Sequence, residues 1–231
     1  MSSVHGSMTQ LPTKPRAAIF DLDGTLLDTL GDLADAVNVA LAANGYAQHS
    51  EEQIRSFIGD GAEMLIRRAM PADAGRHAAQ LAACLGSFQS HYGKNFANRT
   101  RPYPQIAELL AALSGQGIPL GVLSNKPHAF TVQCVEAYFG RLGKTFQVVY
   151  GQREGVPKKP DPSGALEIAT ELGVPPRECL YIGDSDVDMR TATAAGMLAV
   201  GVAWGFRPAG ELHEAGALAV IDSPGDLLAV F

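Results

Sequence analysis

The sequence predicts an α/β protein: a doubly wound, mostly parallel sheet with a small all-helical cap inserted into it. Three observations predict it. From Ile118 onward, short apolar β-rich runs alternate with helical stretches of about ten residues or more, which implies right-handed crossovers between parallel strands. Between about Thr29 and Asn98 the chain is instead rich in Ala and Leu at helical spacing, with almost no strand-like run. Polar clusters stand directly after the apolar runs, where open parallel sheets place their ligand sites. The expected division is a flexible tail over 1–15, an α/β core over 16–28 and 100–231, and a helical cap over 29–99.

The elements follow in order. Ala17-Ala18-Ile19-Phe20 is a first buried strand, and it runs into Asp21-Leu22-Asp23-Gly24-Thr25. In the inserted segment Leu33, Val37, Ala40 and Leu41 line one face of a first helix, and Gly45, Pro71 and Gly93 punctuate later ones. Ile118 to Leu123 is an apolar strand ending in Ser124-Asn125, and Pro127 to Phe139 reads as a helix. Phe146 to Tyr150 is strand-like, and Ser163 to Leu172 is a helix closed by Gly173. Cys179 to Ile182 is a strand ending in Gly183-Asp184, followed by a helix over Asp186 to Ala195 with Gly196 as its stop. Leu198 to Val202 and Ala217 to Ile221 complete the strands before a helix from Pro224.

Composition narrows the function classes. The chain has 231 residues, 46% of them apolar and 18% charged, as expected of a globular protein with a large core. A formal charge of −6 argues against broad nucleic-acid binding but says little about small anionic substrates, since a lysine and a metal can reverse the potential inside one cleft. No apolar run approaches the roughly 18–20 residues of a membrane helix. Met1 to Lys14 lack the apolar core of a signal peptide, and the three cysteines are widely spaced, so a cytoplasmic protein with ordinary buried thiols is expected. No heptad or apolar stripe decides between monomer and homodimer.

The clusters carry the chemistry. Side chains in a strand repeat every two residues, so Asp21 and Asp23 can aim at one point, and Gly24 frees the backbone to turn there. Two converging carboxylates repel unless a cation joins them or one holds a proton, and Mg2+, which takes oxygen ligands and keeps exchangeable waters, suits the arrangement. Further clusters are Ser124-Asn125, Lys158-Lys159-Pro160-Asp161-Pro162 and Gly183-Asp184 through Asp188. Each alone has a bland reading: an N-cap, a solvated loop, an acidic turn capping the next helix. Their common position after apolar strands argues for one site.

On these residues the chain resembles the haloacid dehalogenase-like phosphohydrolases, whose four motifs match Asp21 through Thr25, Ser124, Lys159-Pro160 and Gly183-Asp184 through Asp188. The resemblance implies a Rossmann-like core and an Mg2+-dependent phosphatase. It makes Asp21 the nucleophile that forms an aspartyl-phosphate, and Asp23 the general acid and base. Asp21, Asp184, Asp188 and the backbone carbonyl of Asp23 would hold the metal. Ser124 and Lys159, rather than Lys158, would steady the phosphoryl oxygens, with Gly24, Thr25 and Asn125 also at the phosphate. The acid at Asp23 excludes the dehalogenase branch, whose halide leaving group needs no proton.

Leu27-Asp28-Thr29, Asp32 through Asn38, Gly59-Asp60-Gly61-Ala62 and Val202 through Phe206 are similar to the phosphoglycolate phosphatase subfamily. That likeness implies a small phosphate ester bearing a carboxylate, for which Arg67 or Arg68 on the cap is a candidate clamp. Tyr103-Pro104-Gln105 departs from the pattern, because relatives commonly carry Gly after the Pro. Alternatives with the same residues are an inorganic pyrophosphatase, a sugar or nucleotide phosphatase, or a phosphomutase. A phosphoacceptor switch without turnover is a more distant reading, since it has no need of Asp23.

Overall fold

The structure, a computed structural model, describes residues 11–142 and 145–231. The tail expected over 1–15 falls largely outside the described residues. Within its described part Leu11 packs against the core and Pro15 is buried. In chain order the strands are β1 (Ala17–Phe20), β2 (Leu27–Asp28), β3 (Arg101–Pro102), β4 (Leu120–Pro127), β5 (Val148–Gln152), β6 (Cys179–Gly183), β7 (Leu198–Val202) and β8 (Ala219–Ile221). The helices are α1 (Leu30–Ala43), α2 (Glu51–Phe57), α3 (Ala62–Ala69), α4 (Ala78–Asn95), α5 (Ile106–Gly115), α6 (His128–Phe139), α7 (Ser163–Leu172), α8 (Asp186–Ala194) and α9 (Ala209–Glu214).

Six strands form one parallel sheet in the order β5-β4-β1-β6-β7-β8, with Phe20 in register with Val122 on one side and Ile182 on the other. Its strands carry apolar residues at consecutive positions because both faces are covered. Phe20, Val122, Ile182 and Val200 pack against Leu109, Leu110 and Leu113 of α5 and Cys134 and Val135 of α6. Ile19, Tyr181 and Ala199 face the opposite way, toward Ile168 of α7, Met189 of α8 and Leu212 of α9. This is the doubly wound arrangement expected.

The inserted helices α1 to α4 form their own apolar cluster, in which Leu33, Val37, Ala40 and Leu41 are buried against residues such as Leu81 and Phe88. Its two chain crossings are tied together. β2 pairs with β3 antiparallel, and the buried carboxylate of Asp32 accepts from Arg99 N (2.9 Å), Thr100 N (2.8 Å) and Thr100 Oγ1 (2.7 Å). An acidic side chain inside a helix end is tolerated there because every lone pair in reach is met by a donor.

Several element boundaries differ from expectation. Gly93 does not break a helix but lies inside α4, where a Cβ would come within 3.3 Å of the Phe130 ring, so close packing explains the glycine. β4 runs on through Pro127, which pairs with Gln152, so Ser124 and Asn125 belong to the strand rather than capping α6. β5 begins two residues later than Phe146, which instead packs edge-on against Phe20 and Phe139. The segment from Pro224 is a 3-10 turn, Pro224–Ala229.

Gln105 enters α5 in the left-handed region at φ +67°. A residue with a Cβ there is disfavoured by about 1–2 kcal/mol relative to right-handed backbone, and its side-chain contact to Ser223 Oγ (3.3 Å) is exposed. Gln105→Gly is therefore expected to raise Tm in thermal unfolding by about 2 °C. An unchanged or lower Tm would mean that this turn carries no removable strain.

Candidate active site

The candidate residues stand toward the carboxyl ends of β1, β4 and β6. Asp21 follows β1 and donates its N–H to Ile182 O (2.9 Å), so its position is set by the neighbouring strand. Asp21 and Asp23 both line the cavity above the sheet, while Leu22 between them is buried in the core. Gly24 turns the chain at φ +86°, and a Cβ there would lie 2.2 Å from Asp184 Oδ2. Glycine is required twice over, for the backbone angle and for the approach of a carboxylate. Asp184, after β6, accepts from Phe206 N (2.7 Å) and from Thr25 Oγ1 (3.3 Å).

Lys159 and Asp188 complete the centre. Lys159 Nζ lies 2.7 Å from Asp188 Oδ1, 2.9 Å from Asp21 Oδ1 and 3.2 Å from Leu123 O. Asp188 opens α8 as part of a capping box with Ser185, whose backbone N–H and hydroxyl both donate to Asp188 Oδ2. Gly183 makes room for it, since a Cβ there would stand 2.3 Å from Asp188 Cβ. Asp186 points elsewhere and pairs with Arg190 at 3.2 Å.

Burial decides the electrostatics. Desolvation, reinforced by Asp188 and opposed by Lys159, holds the Asp21 carboxyl well above its ordinary range. Burial and then Asp188 push Asp184 up to about 7. Burial alone would lower the Lys159 ammonium, but Asp188 and Asp21 keep it well above its usual value, so it stays charged. Among the described residues, the oxygens of Asp21, Asp184 and Asp188 lie within 4.8 Å of one another and can hold a metal ion. Asp21 Oδ1 is buried, with the Lys159 ammonium 2.9 Å away as its charged partner. With Asp23, four carboxylates face the ammonium groups of Lys159 and Lys126, an excess of negative charge that a divalent cation balances. The residues fit a hard cation with oxygen ligands.

Lys126 was not singled out from the sequence. Its buried ammonium lies 2.7 and 3.0 Å from the two Asp23 oxygens and 4.7 Å from the centre of the Tyr92 ring. Burial would lower its pKa, but Asp23 and Tyr92 hold it well above the usual value. The available signal was a lysine at the carboxyl end of an otherwise buried strand. Because β4 continues past Asn125, this side chain is carried into the site.

The helical insertion closes the cavity, which offers about 60 Å3 and is walled by Ile58, Gly59, Gly61, Leu65 and Tyr92 opposite Asp21, Ser124 and Lys159. Of the expected phosphate groups on the core, Asn125 lines it and Gly24 and Thr25 do not. Gly24 and Thr25 sit behind Asp184 rather than on the cavity wall. The Asn125 side chain donates to Gly59 O and Lys159 O (both 3.1 Å) and accepts from Lys159 N (2.9 Å), so its polar atoms are engaged by the protein.

Arg67 and Arg68 are not brought to the cavity. Arg67 bonds Glu63 and Gly75 O, and Arg68 bonds Asp60 and Phe57 O, because they occupy the side of α3 turned away from the apolar face of Leu65 and Ile66. Arg67→Ala and Arg68→Ala are accordingly expected to leave the preference for a carboxylate-bearing phosphate over a neutral one within about twofold, as usual for exposed positions. A tenfold change in that ratio would restore the clamp.

An open parallel sheet with a carboxylate–lysine cluster at its strand ends, covered by inserted helices, is an arrangement suited to a metal ion and an anionic group. The sequence profile of the haloacid dehalogenase-like hydrolases matches residues 18–202. The phosphoglycolate phosphatase of Yersinia pseudotuberculosis is 35% identical over 192 residues, covering 83% of this chain and 82% of that one. The phosphoglycolate phosphatase of Escherichia coli K12 is 35% identical over 209 residues, with the same coverage of 83% and 82%. A crystal structure from Haemophilus somnus, of a protein described as a predicted phosphoglycolate phosphatase, superimposes with a TM-score of 0.86 at 30% identity, covering 95% of this chain and 99% of that one. The chain belongs to the haloacid dehalogenase-like hydrolases. Within them it is an enzyme of the phosphoric monoester hydrolase type. No helix among the described residues is long and apolar enough to cross a membrane.

Proposed function

We propose that the protein is an Mg2+-dependent phosphatase whose substrate is 2-phosphoglycolate, hydrolysed through an aspartyl-phosphate on Asp21, with residues 29–99 as its cap. The observation that carries the reading is the convergence of Asp21, Asp184 and Lys159 on one small cavity that Asp23 and Ser124 also line, with the buried Asp188 behind them within reach of the same metal ion. The names of the relatives support this choice of substrate.

In this reading Asp21, Asp184 and Asp188 hold the cation, with the Asp23 carbonyl as a further oxygen. When bound, the ion neutralises phosphoryl charge and screens Asp21 from its anionic target. Asp21 Oδ attacks phosphorus, and the bond to the substrate oxygen breaks. Asp23, entering this step as the carboxylic acid, gives that oxygen its proton; the carboxylate left behind takes a proton from the water that opens the acyl phosphate, which restores the acid. Each transfer is worth about 10²–10⁴-fold. Lys159 and Ser124 donate to the equatorial oxygens as negative charge spreads over them. Lys126, in contact with both oxygens of Asp23, orients that side chain. The helical lid excludes water while the phosphoryl group moves.

The test is phosphate release with Mg2+ and with EDTA from 2-phosphoglycolate, pyrophosphate, sugar phosphates and nucleoside monophosphates. A kcat/KM for 2-phosphoglycolate at least tenfold above the rest, lost in EDTA, is expected. Another compound in the lead would discard the substrate and keep the chemistry, whereas full activity in EDTA would discard the metal.

A further inference from the structure

The loop after β7 touches the acidic centre and the helical insertion with consecutive residues. Trp204 Nε1 donates to Thr25 O (3.0 Å), and Thr25 Oγ1 donates in turn to Asp184 Oδ1 (3.3 Å). Gly205 lies so near that a Cβ there would stand 2.1 Å from Asp184 Cβ. Phe206 donates its backbone N–H to Asp184 Oδ2 (2.7 Å), while its side chain belongs to the apolar cluster of α1 to α4.

Arg207 reaches into the insertion itself. Its guanidinium donates to the carbonyls of Arg55 (3.0 Å), Ser56 (3.4 Å) and Ile58 (2.6 Å), at the end of α2. The last turn of a helix leaves carbonyls short of partners and favours a positive charge. A planar guanidinium with five donors can serve three such oxygens at once, where an ammonium on a single stem cannot match the fork. The anchored stretch leads straight into Ile58, Gly59 and Gly61, which wall the cavity, and Arg207 lines it too.

We propose that Arg207 is a positioning residue that latches the cap turn over the reacting groups and, through the Phe206 amide, ties cap closure to the placement of Asp184. The inference rests on Asp184 being a metal ligand. Three hydrogen bonds on one side chain favour the closed arrangement; without them the closed fraction falls and ligand affinity falls with it. Turnover at saturation changes little, because Arg207 does not touch the reacting atoms. The coupling is reciprocal: what fixes Asp184 favours closure, and closure favours the ion.

Trp204 is the sole tryptophan of the chain, so its emission reports on this loop. Mg2+ alone is titrated into the parent, Arg207→Ala and Arg207→Lys, with calorimetry beside the emission, and kinetics follow on the best substrate of the phosphate panel. In the parent Mg2+ is expected to shift Trp204 emission saturably. Arg207→Ala should weaken Mg2+ at least fivefold and raise KM at least tenfold with kcat within threefold, and Arg207→Lys should recover part of both. Arg207→Ala that lowers only Tm, with Mg2+ affinity and KM within twofold of the parent, would overturn the latch. A parent that binds no Mg2+ by calorimetry would overturn the metal reading and the coupling with it, and an unchanged KM would again overturn the latch.

Discussion

Asp21→Asn is expected to lower kcat by at least about 10⁴-fold and to leave Tm unchanged or higher. The loss follows from chemistry: an amide has no anionic oxygen to attack phosphorus. The second half follows from the surroundings of Asp21. Its carboxyl is buried, crowded by Asp188 and raised well above its ordinary pKa, so the folded protein disfavours its charge. A neutral side chain of the same shape removes that conflict, at the cost of the Lys159 ion pair at 2.9 Å. Phosphate release and thermal unfolding on one preparation check both halves. Turnover within tenfold of the parent would remove Asp21 as nucleophile. A large fall in Tm would mean that its charge stabilises the fold rather than serving the reaction.

Lys159→Met and Lys158→Met separate two neighbours that the sequence presents as a pair. Lys159 is buried between Asp21 and Asp188, whereas Lys158 is exposed. Removing a buried ammonium strands two carboxylates, which costs about 3–5 kcal/mol where the partners cannot relax, equivalent to a fall in Tm of roughly 10 °C. It also takes a donor from the phosphoryl oxygens, worth about 10²–10³-fold in kcat. Lys158→Met is expected to change stability by no more than about 0.5 kcal/mol and kcat/KM by less than about threefold. Equal effects of the two substitutions would show that both lysines serve the site.

Much of this site was legible because it is built at strand ends. An apolar run that stops at a carboxylate announces both the strand and the place where its chemistry begins, as at Asp21 and Asp184, whereas β4 runs past Ser124 to Pro127. What the chain pattern could not show was which polar atoms are already taken. Asn125 and Thr25 are of the right type and position, and in the fold their side chains bond Gly59, Lys159 and Asp184. Arg67 and Arg68 sit on the right helix but on its outer side, a difference of one helical face that only the packing of Leu65 and Ile66 settles.

The sequence by itself determined the doubly wound sheet, the helical insertion and the order of the reacting residues along the strands. Those features depend on local periodicity and on turns that one or two residues specify. Tertiary structure alone decided that Lys126 meets Asp23, that Arg207 reaches the end of α2, and that glycines at 24, 183 and 205 leave room for two carboxylates. Apart from Gly183, which makes room for Asp188 five residues on, those facts join segments far apart in the chain. Which donor meets which acceptor there is set by how sheet and cap pack, and no local pattern carries that information.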